Sequence, residues 1–504
     1  MSITEMTDFD NTRQLCEMAD QLNSFVKQAA IDGTEAHVAE EGILQFVRAI
    51  GRQALGLFFD MQGDGDVGET VTTEEGRTMR RLDKIRHRKY HSIFGVFTLS
   101  RYAYGSREGQ QIELVPLDAR IAMPESDFSY LLQDWAGAIT VEHAFAQTAH
   151  ILEEILGTTL HVDSLERMNR KMSESVEEFR DSLKNPPPEQ EGEILVATAD
   201  GKGVPMRRPA DQRPTGARRK KGEKANKKQM ATLGAVYTVD AKHRTAEDVV
   251  ESLFRERKPD RPNDSHEPKA KHKRVRSSLT YEMDGVYVDA ETEVFTWMQR
   301  EVDQRRRDGQ PIVCIMDGQR SLWTSCAEHL SCGNVVEILD LLHAISYLWD
   351  AAYLFHKEGS KEATAFVRDR ALRILQGGAG RVIGGLRQMA TKHCLKKNDL
   401  KQMNRICNYL ENNRSRMRYD EYLDAGYPIA SGVIEGACRH LVKDRMERSG
   451  MRWTIDGAQA MLDLRSTAIN GQWSDFVVHR IQTEIRRLYP SRQQVKQLAF
   501  HLST

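Results

Sequence analysis

The chain has 504 residues, 29% of them charged, and a formal net charge of −1. This length exceeds the usual size of one hydrophobic core, so we expect two to four domains. No stretch approaches the ~18 consecutive apolar residues of a membrane span, and the acidic N-terminus lacks the apolar core of a signal peptide. Seven scattered cysteines without a Cys-x-x-Cys pair argue against a zinc ribbon and predict reduced thiols in a cytoplasmic setting.

The N-terminal part of the chain predicts helices followed by a hairpin. Apolar residues at helical spacing predict helix over 12–60, and a Gly- and Thr-rich loop is predicted at 61–75. A strand is predicted at 92–102, and residues 110–115 can pair with it as a hairpin. Residues 126–185 then predict several more helices.

A basic pair of helices lies within that helical region. A helix is predicted over 141–156, a Gly-bearing turn at 157–159, and a second, polar helix from Ser164 that carries Arg167 and Arg170. Two helices joined in this way fit a DNA-binding helix-turn-helix, and they fit an ordinary helical hairpin equally well.

A second domain is expected to follow the proline-rich linker at 186–190. It alternates short β-branched runs with helical segments, as an α/β domain does. The predicted strands are 194–200, 229–239, 311–317 and 335–339, and the predicted helices are 289–307, one near Leu322 and one from Asp340. Residues 343–424 predict a mainly helical segment. The helix breakers of Gly426–Pro428 end this segment, and the helix that bears Glu435 follows.

Three acidic residues stand where the predicted elements can bring them together. Asp200 and Asp317 each close a short apolar strand and precede a Gly, which predicts a turn, and Glu435 lies on the late helix. Carboxylates in this arrangement can share two divalent cations about 3.5–4 Å apart, which is a recurring way to cut and join phosphodiesters. The pattern therefore predicts a nucleic-acid enzyme that uses two Mg²⁺ or Mn²⁺ ions.

Basic charge is concentrated beside the first of these acidic residues. Residues 201–228 contain eleven Lys and Arg against two acidic residues, and residues 255–276 contain nine against four. Such runs are often solvated loops, and we predict loops at both places. Because carboxylates repel phosphate unless cations are near, basic runs next to candidate acidic sites favour a contact with nucleic acid.

Two further motifs allow more than one interpretation. His343, on an apolar helix, is either a core histidine bonded to a neighbour or a catalytic group. The Gly-rich residues 377–385 lack the Gly-x-x-x-x-Gly-Lys pattern of a phosphate loop and predict a loop between helices, without an ATP site.

Several sequence blocks resemble one family of DNA-processing enzymes. Residues Ala199–Met206, Met316–Trp323, Ile434–Gly436 and Lys443–Met446 are similar to blocks of bacterial insertion-sequence DDE transposases of the Kra type, which are related to Mutator-like elements. Residues Asp340–His343 resemble the Asp-x-x-His signature of several such superfamilies. The resemblance covers residues 190–475 well and 90–185 loosely.

The resemblance implies a fold and a set of partners. It implies an α/β catalytic core of RNase H-like fold, with a mixed sheet flanked by helices, a mainly helical insertion and a mostly helical N-terminal DNA-binding region. The expected domains are 1–88 (helical), 89–187 (DNA-binding), 188–342 and 425–475 (the two parts of the core), 343–424 (insertion) and 476–504 (C-terminal helix). Expected partners are double-stranded DNA, as terminal inverted repeats and target, and further copies of the chain in a homodimer or higher oligomer. No membrane is expected, and the location is cytoplasmic, at the bacterial nucleoid.

The resemblance also implies roles for individual residues. Asp200, Asp317 and Glu435 are the expected metal-binding triad, with His343 as a further catalytic candidate. The expected DNA-contacting residues are basic and lie near these positions or on the second helix of the basic pair: Lys202, Arg207, Arg208, Arg218, Arg219, Lys220, Lys221, Arg320, Arg439, Lys443, Arg167 and Arg170. A nuclease of the same fold and a non-enzymatic DNA-binding descendant are the competing hypotheses.

Two of those cations come from helical spacing alone. In an α-helix, Arg439 and Lys443 share the face of Glu435, so they are expected to hold the backbone of the cleaved strand. The competing interpretation is an exposed ion pair between Glu435 and Arg439.

Overall fold

The computed structural model describes residues 3–72, 76–106, 112–207, 228–255, 268–283, 285–330, 333–448 and 450–498. The chain divides into two compact units. The first contains Met1–Phe179 together with Trp473–Thr504, and the second contains Arg180–Gln472.

The first unit begins with two long helices, α1 (Ile3–Asp32) and α2 (Ala36–Asp60). They confirm the predicted helix over 12–60, with a break at Gly33, whose φ of +62° suits a residue without Cβ. The predicted loop at 61–75 contains a strand, β1 (Thr70–Thr72), which pairs with β2 (Thr78–Arg81).

The next element is a hairpin of β3 (Arg86–Ser92) and β4 (Gly95–Arg101). The predicted pairing of 92–102 with 110–115 is therefore wrong, because β4 pairs with the strand that precedes it. The tight turn at Gly95, with φ +111°, lies inside the predicted strand 92–102, and the strand before it, β3, was not predicted. The strand β5 (Tyr104–Gly105) pairs with β2, and Tyr104 forms an isolated bridge to Leu114.

Helices complete the first unit. They are α3 (Pro116–Ile121), α4 (Tyr130–Thr140), α5 (Phe145–Leu156), α6 (Val162–Ser173), α7 (Val176–Ser182, which ends in the second unit), α19 (Trp473–Leu488) and α20 (Arg492–Gln497). Helices α4, α5 and α6 pack on one another, and Gly157 ends α5 with φ +65°. The predicted helix–turn–helix segment is thus two short helices supported by a third, with α6 beginning two residues before Ser164.

The second unit is built on a five-stranded sheet in the order β12-β11-β6-β7-β8. The strands are β6 (Ile194–Pro205), β7 (Lys228–Val239), β8 (Lys271–Leu279), β11 (Ile312–Met316) and β12 (Val335–Leu339). Strand β7 is antiparallel to both of its neighbours, β6 and β8, whereas β11 runs parallel to β6 and β12 parallel to β11. A short hairpin, β9 (Tyr281–Met283) and β10 (Val286–Val288), follows β8.

Alternate residues of β6 pack into two different hydrophobic layers. Ile194 and Val196 join one core cluster, and Leu195 and Ala197 join the other. The first layer contains α8 (Ala246–Leu253) and α11 (Leu341–Ala352), with α12 (Lys361–Leu375), α13 (Ala379–Lys392), α14 (Lys397–Asn412) and α15 (Tyr419–Asp424). The second contains α9 (Ala290–Arg305) and α10 (Arg320–His329). A helical layer on each face explains why the strands are almost continuously apolar.

Late helices complete the second unit. They are α16 (Gly432–Ala437), α17 (Asp444–Met446) and α18 (Ile455–Ile469), of which α18 packs against β8. The predicted helical segment 343–424 is confirmed, but α13 begins at Ala379, so the predicted loop at 384–385 is helix. No helix in the described part of the chain combines the length and apolarity needed to cross a bilayer.

Two strand predictions are wrong in ways that affect the site. Strand β6 does not turn after Asp200 but continues to Pro205, because Gly201 and Gly203 keep an extended backbone and pair with Thr232 and Met230. Strand β8 begins at Lys271, inside the predicted basic loop 255–276, of which residues 256–267 lie outside the described part of the chain. There the buried Arg274 reaches Glu301 of α9 at 2.9 Å, so its charge is neutralised inside the fold rather than solvated.

Candidate active site

Three aspartates come at matching positions of three adjacent strands. Met316 of β11 lies opposite Ala199 of β6 and opposite Leu339 of β12. The next residues along the three parallel strands are Asp200, Asp317 and Asp340. The register continues past the strands, since the Asp340 N–H donates to the Met316 carbonyl at 2.9 Å. The three aspartates, two just after the ends of β11 and β12 and one within β6, therefore lie side by side across the sheet, and we call this row the acidic edge.

The first two aspartates accept hydrogen bonds from neighbouring groups. One oxygen of Asp200 accepts from the Gly201 N–H at 2.7 Å, and the other accepts from the Cys438 thiol at 3.3 Å. Asp317 Oδ1 accepts from the Gln319 N–H at 2.9 Å, and the Asp317 carbonyl accepts from the Trp323 indole at 2.7 Å. Both carboxylates are held in place and remain partly open to solvent.

Asp340 is fully buried and joins the sheet to the late helices. Its Oδ1 accepts from the His343 N–H at 3.1 Å, which caps α11. Its Oδ2 accepts from the backbone N–H of Ser431 at 2.6 Å and from the Ser431 hydroxyl. Ser431 precedes α16, the helix that carries Glu435, so Asp340 fixes where that helix begins. Burial alone raises the pKa of Asp340, but the His343 ring and the Ser431 hydrogen bonds outweigh it and hold the pKa below its ordinary value.

Glu435 and His343 complete the cluster. Ligand atoms of Asp340, His343 and Glu435 all lie within 4.8 Å of one another. His343 Nδ1 is 3.6 Å from Asp340 Oδ1, and this contact raises the pKa of the imidazole. Glu435 is exposed, and the hydrogen bond from Ser431 to Asp340 fixes the start of the helix that carries it. Of the four residues singled out from sequence, His343 and Glu435 belong to this cluster. Asp200 and Asp317 lie near enough for their charges to raise the pKa of His343.

The carboxylates of the cluster repel one another. Burial, and then the charges of Asp200 and Asp340, raise the pKa of Asp317 above its ordinary value. Burial, and then the charges of Asp340 and Asp200, raise the pKa of Glu435. Like charges that disfavour ionisation in this way are relieved by a bound cation. The donors are mainly carboxylate oxygens, the ligands that Mg²⁺ and Mn²⁺ prefer, so the residues present fit such ions.

The helix that bears Glu435 departs from the α-helical geometry expected for it. Helix α16 ends at Ala437, and a π-helical turn follows at Cys438–Lys443 before α17. The expected regular stripe from Glu435 through Arg439 to Lys443 is therefore interrupted. The expected alternative, an ion pair between Glu435 and Arg439, is also wrong, because Arg439 contacts Asp444 at 3.7 Å. Arg439 and Lys443 are both exposed.

The π turn brings in a residue that sequence reasoning missed. Cys438 is 4% exposed and directs its thiol at Asp200. Burial, and then the negative charge of Asp200, raise the pKa of this thiol, so it remains a neutral donor. Nothing in the sequence distinguished Cys438 from the other cysteines. Asp340 did carry a signal, the Asp-x-x-His spacing, but only the structure reveals its bonds to Ser431.

The remaining basic residues fall into three groups. Lys202 on β6, Arg207 just beyond it and Arg320 at the start of α10 flank the acidic edge in sequence, and the two arginines are exposed. Arg167 and Arg170 lie on α6 in the first unit, with Arg167 exposed. The rest lie outside the described residues: Arg208, Arg218, Arg219, Lys220 and Lys221.

Comparisons with known proteins add one structural likeness. No protein-family model matches the sequence, and no curated protein matches it. Among solved structures, the chain is similar to a Drosophila P element transposase strand transfer complex at 10% sequence identity and a TM-score of 0.25. The alignment covers 75% of this chain and 88% of that chain. At these values the likeness carries no weight of its own, and the function is inferred from the residues of this chain.

Proposed function

We propose that this chain is an insertion-sequence DNA transposase that cuts and joins DNA strands at the acidic edge. The observation that carries the proposal is the register of the sheet. It puts Asp200 and Asp317 side by side and, through Asp340 and Ser431, brings Glu435 to the same place. The pKa values of Asp317 and Glu435 are raised by burial and by neighbouring negative charge, as is typical of sites that hold divalent cations.

The fold supports the same proposal. Three consecutive antiparallel strands followed by two parallel ones, in the order β8-β7-β6-β11-β12, agree with the RNase H-like core that the sequence resemblance implies. The helices between β12 and α16 fit the expected insertion. The Kra type and its relation to Mutator-like elements are the finer part of the proposal and rest on the sequence blocks alone.

In this proposal the chain's own residues hold and position the reactants. Asp200, Asp317 and Glu435 would hold two Mg²⁺ or Mn²⁺ ions, which when bound supply an activated water or 3′-hydroxyl and stabilise the leaving oxygen. Cys438 and the Gly201 N–H orient the two oxygens of Asp200. Asp340 orients His343 and the Glu435 helix without needing to touch DNA.

Cations around the edge would hold the phosphates. Lys202, Arg207 and Arg320 follow the acidic residues closely in the chain and would contact the backbone of the cut strand, as would Arg439 and Lys443. Helix α6, with Arg167 and Arg170, would bind the terminal inverted repeats of double-stranded DNA. A homodimer or higher oligomer at the bacterial nucleoid completes this proposal.

The deciding experiment separates a transposase from a nuclease of the same fold. A duplex with a labelled 3′ end is incubated with a supercoiled plasmid, the full chain and Mg²⁺. We expect label in the plasmid with wild type and none with Asp317→Asn, because loss of one metal-binding carboxylate removes the chemistry. Cleavage without joined product would support the nuclease, and DNA binding without cleavage by wild type would support a non-enzymatic descendant.

A further inference from the structure

An open groove of about 870 Å³ runs along α14, in the helical segment of the second unit. Polar residues at steps of three and four line it, so they share one face of the helix. They are Asn398, Lys401, Gln402, Asn404, Arg405, Asn408 and Asn412. The opposite face of α14, with Met403, Ile406 and Leu410, is buried in the core. One wall of the groove is therefore the solvent-facing side of α14, whose other side is packed into the core.

The chemistry of this face is unusual for this chain. The chain has 73 acidic and 72 basic residues, yet every charged residue that lines the groove within the described chain is a cation, Lys401 or Arg405. A solvated helix face ordinarily mixes both signs. Asn is also among the weaker helix formers, because its side chain competes for backbone hydrogen bonds. Helix stability alone therefore does not account for Asn404 and Asn408 in the interior of α14, and the face suits an anionic partner that accepts and donates hydrogen bonds.

The groove opens beside the acidic cluster. Tyr409 lines it, and the hydroxyl of Tyr409 accepts from the Gly318 N–H at 3.1 Å, one residue after Asp317. The Tyr409 ring stacks on Tyr347 with centroids 3.8 Å apart. Tyr347 lies one helical turn beyond His343 on α11 and also lines the groove. A polymer held at the acidic cluster would thus continue along α14.

We infer that this groove of the protein binds the duplex DNA that flanks the cut strand. In that complex, α14 would contact base edges in the major groove of the DNA. The inference rests on the proposed function. The major groove admits an α-helix, Asn and Gln amides pair with adenine in two hydrogen bonds, and Arg pairs with guanine in the same way. Lys401 and Arg405 add contacts with the phosphate backbone.

Other nucleic acids fit this face less well. Single strands are usually held by aromatic rings with free faces, whereas Tyr347 and Tyr409 cover each other by stacking. Double-stranded RNA has a deep, narrow major groove that side chains do not read. The face therefore favours duplex DNA.

The test is a selection from randomised 30-base-pair duplex DNA by the full chain in EDTA, where binding is separated from cleavage. We expect wild type to enrich a motif, and the double variant Gln402→Ala/Asn408→Ala to lose about 10-fold preference at one or more positions of it. The matched control is Gln388→Ala, an exposed amide on α13 outside the groove. Affinity for random duplex should stay within about twofold, because amides contribute little to nonspecific binding.

Salt dependence tests the cations of the same face. Lys401→Ala/Arg405→Ala should lower the slope of log affinity against log salt by roughly 1.8, because each phosphate that a cation neutralises adds ~0.9 to that slope. Lys392→Ala, an exposed cation on α13, should leave the slope unchanged.

The outcomes separate this inference from the proposed function. The inference is overturned if either double variant behaves like its control, if wild type enriches no motif, or if duplex RNA competes as well as DNA. Wild type that never cleaves DNA would overturn the transposase proposal, and the selection in EDTA would still decide the role of α14. Cleavage by wild type combined with an unchanged motif in the amide variant would overturn the α14 inference alone.

Discussion

Asp340 and Ser431, 91 positions apart in the chain, are joined by two hydrogen bonds to one carboxylate oxygen. The aspartate follows β12 directly, and the serine directly precedes α16, the helix that carries Glu435. A buried residue that need not touch DNA therefore sets the distance between the sheet and the helix. The site depends on this residue as much as on the acidic residues that face solvent.

Replacing Asp340 should damage both stability and activity. The carboxylate of Asp340 accepts hydrogen bonds from the His343 N–H, the Ser431 N–H and the Ser431 hydroxyl, and Asp340→Asn replaces it with a neutral amide. Hydrogen bonds to charged groups contribute about 1.5–3 kcal/mol each. We expect the free energy of unfolding in urea to fall by roughly 2–3 kcal/mol. Mg²⁺-dependent cleavage should fall even under conditions where the variant is folded. Asp308→Asn, in an exposed loop, is the control, and equal effects of the two substitutions would contradict the anchoring role.

Metal binding should stabilise wild type more than a variant of the acidic edge. A ligand that binds only the folded state stabilises it by RT ln(1 + [L]/Kd), about 2.7 kcal/mol at a hundredfold excess over Kd. We expect Mg²⁺ to raise the melting temperature of wild type and not of Asp317→Asn. Without metal, Asp317→Asn should melt at the same temperature or higher, since it removes a repelled charge. A variant that melts lower in EDTA would show that Asp317 has a structural role instead.

The pH dependence of stability should reflect an ion pair inside the second unit. Burial alone raises the pKa of Glu191, but hydrogen bonds from Arg305 and Thr238 outweigh it and hold the pKa below its ordinary value. Such a carboxylate stabilises the fold above its unfolded pKa of about 4.3, and this contribution is lost as the pH falls through the lower folded pKa. Arg305 is fully buried, so Glu191→Gln should cost about 3 kcal/mol at pH 7.

Urea unfolding at several pH values checks this prediction. The difference between wild type and Glu191→Gln should shrink below pH ~4, where the wild-type carboxylate becomes protonated. The exposed Glu189→Gln is the control. A difference that stays constant from pH 7 to pH 3 would mean that the packing of Glu191, rather than its charge, stabilises the fold.

Two glycines should respond to alanine with opposite signs. A Cβ at Gly234 of β7 would meet Val294 at 2.6 Å and Met298 at 2.8 Å, so Gly234→Ala should destabilise the fold by about 1–3 kcal/mol through overpacking. A Cβ at Gly384, inside α13, meets nothing within 4 Å. Gly384→Ala should stabilise it by roughly 0.5–1 kcal/mol, because Gly costs that much in a helix interior. Thermal melts of both variants test the pair, and a stabilising Gly234→Ala would show that α9 can shift away from the sheet.

Sequence predicts well those elements that need only an apolar layer beside them and no particular partner residue. Strands β7, β11 and β12 follow from β-branched runs, because any apolar layer above and below would stabilise them. Strand β8 was missed because Arg274 looks solvated until Glu301, 27 positions away, is seen beside it. The turn predicted after Asp200 failed for a similar reason, since the extended Gly201 depends on its partner Thr232.

The candidate site divides in the same way. Asp200, Asp317 and Glu435 could be found because each carries a local pattern of its own. Cys438 could not be found in this way. It reaches Asp200 through a π-helical turn, and the spacing used to predict faces from sequence is that of a regular α-helix. Contacts between distant segments, such as that between Asp340 and Ser431, leave no local pattern at all.

The continuation of β6 past Asp200 limits where the chain can gain or lose residues. Cross-strand pairs continue as far as Pro205 and Lys228, and Met206 then forms a bridge to Trp453, so Asp200 is held in register by pairs on both sides of it. One residue added between Asp200 and Pro205 would turn every following side chain to the opposite face of the sheet. The position of this carboxylate therefore depends on the exact length of β6 on both sides of it, and not on the aspartate alone.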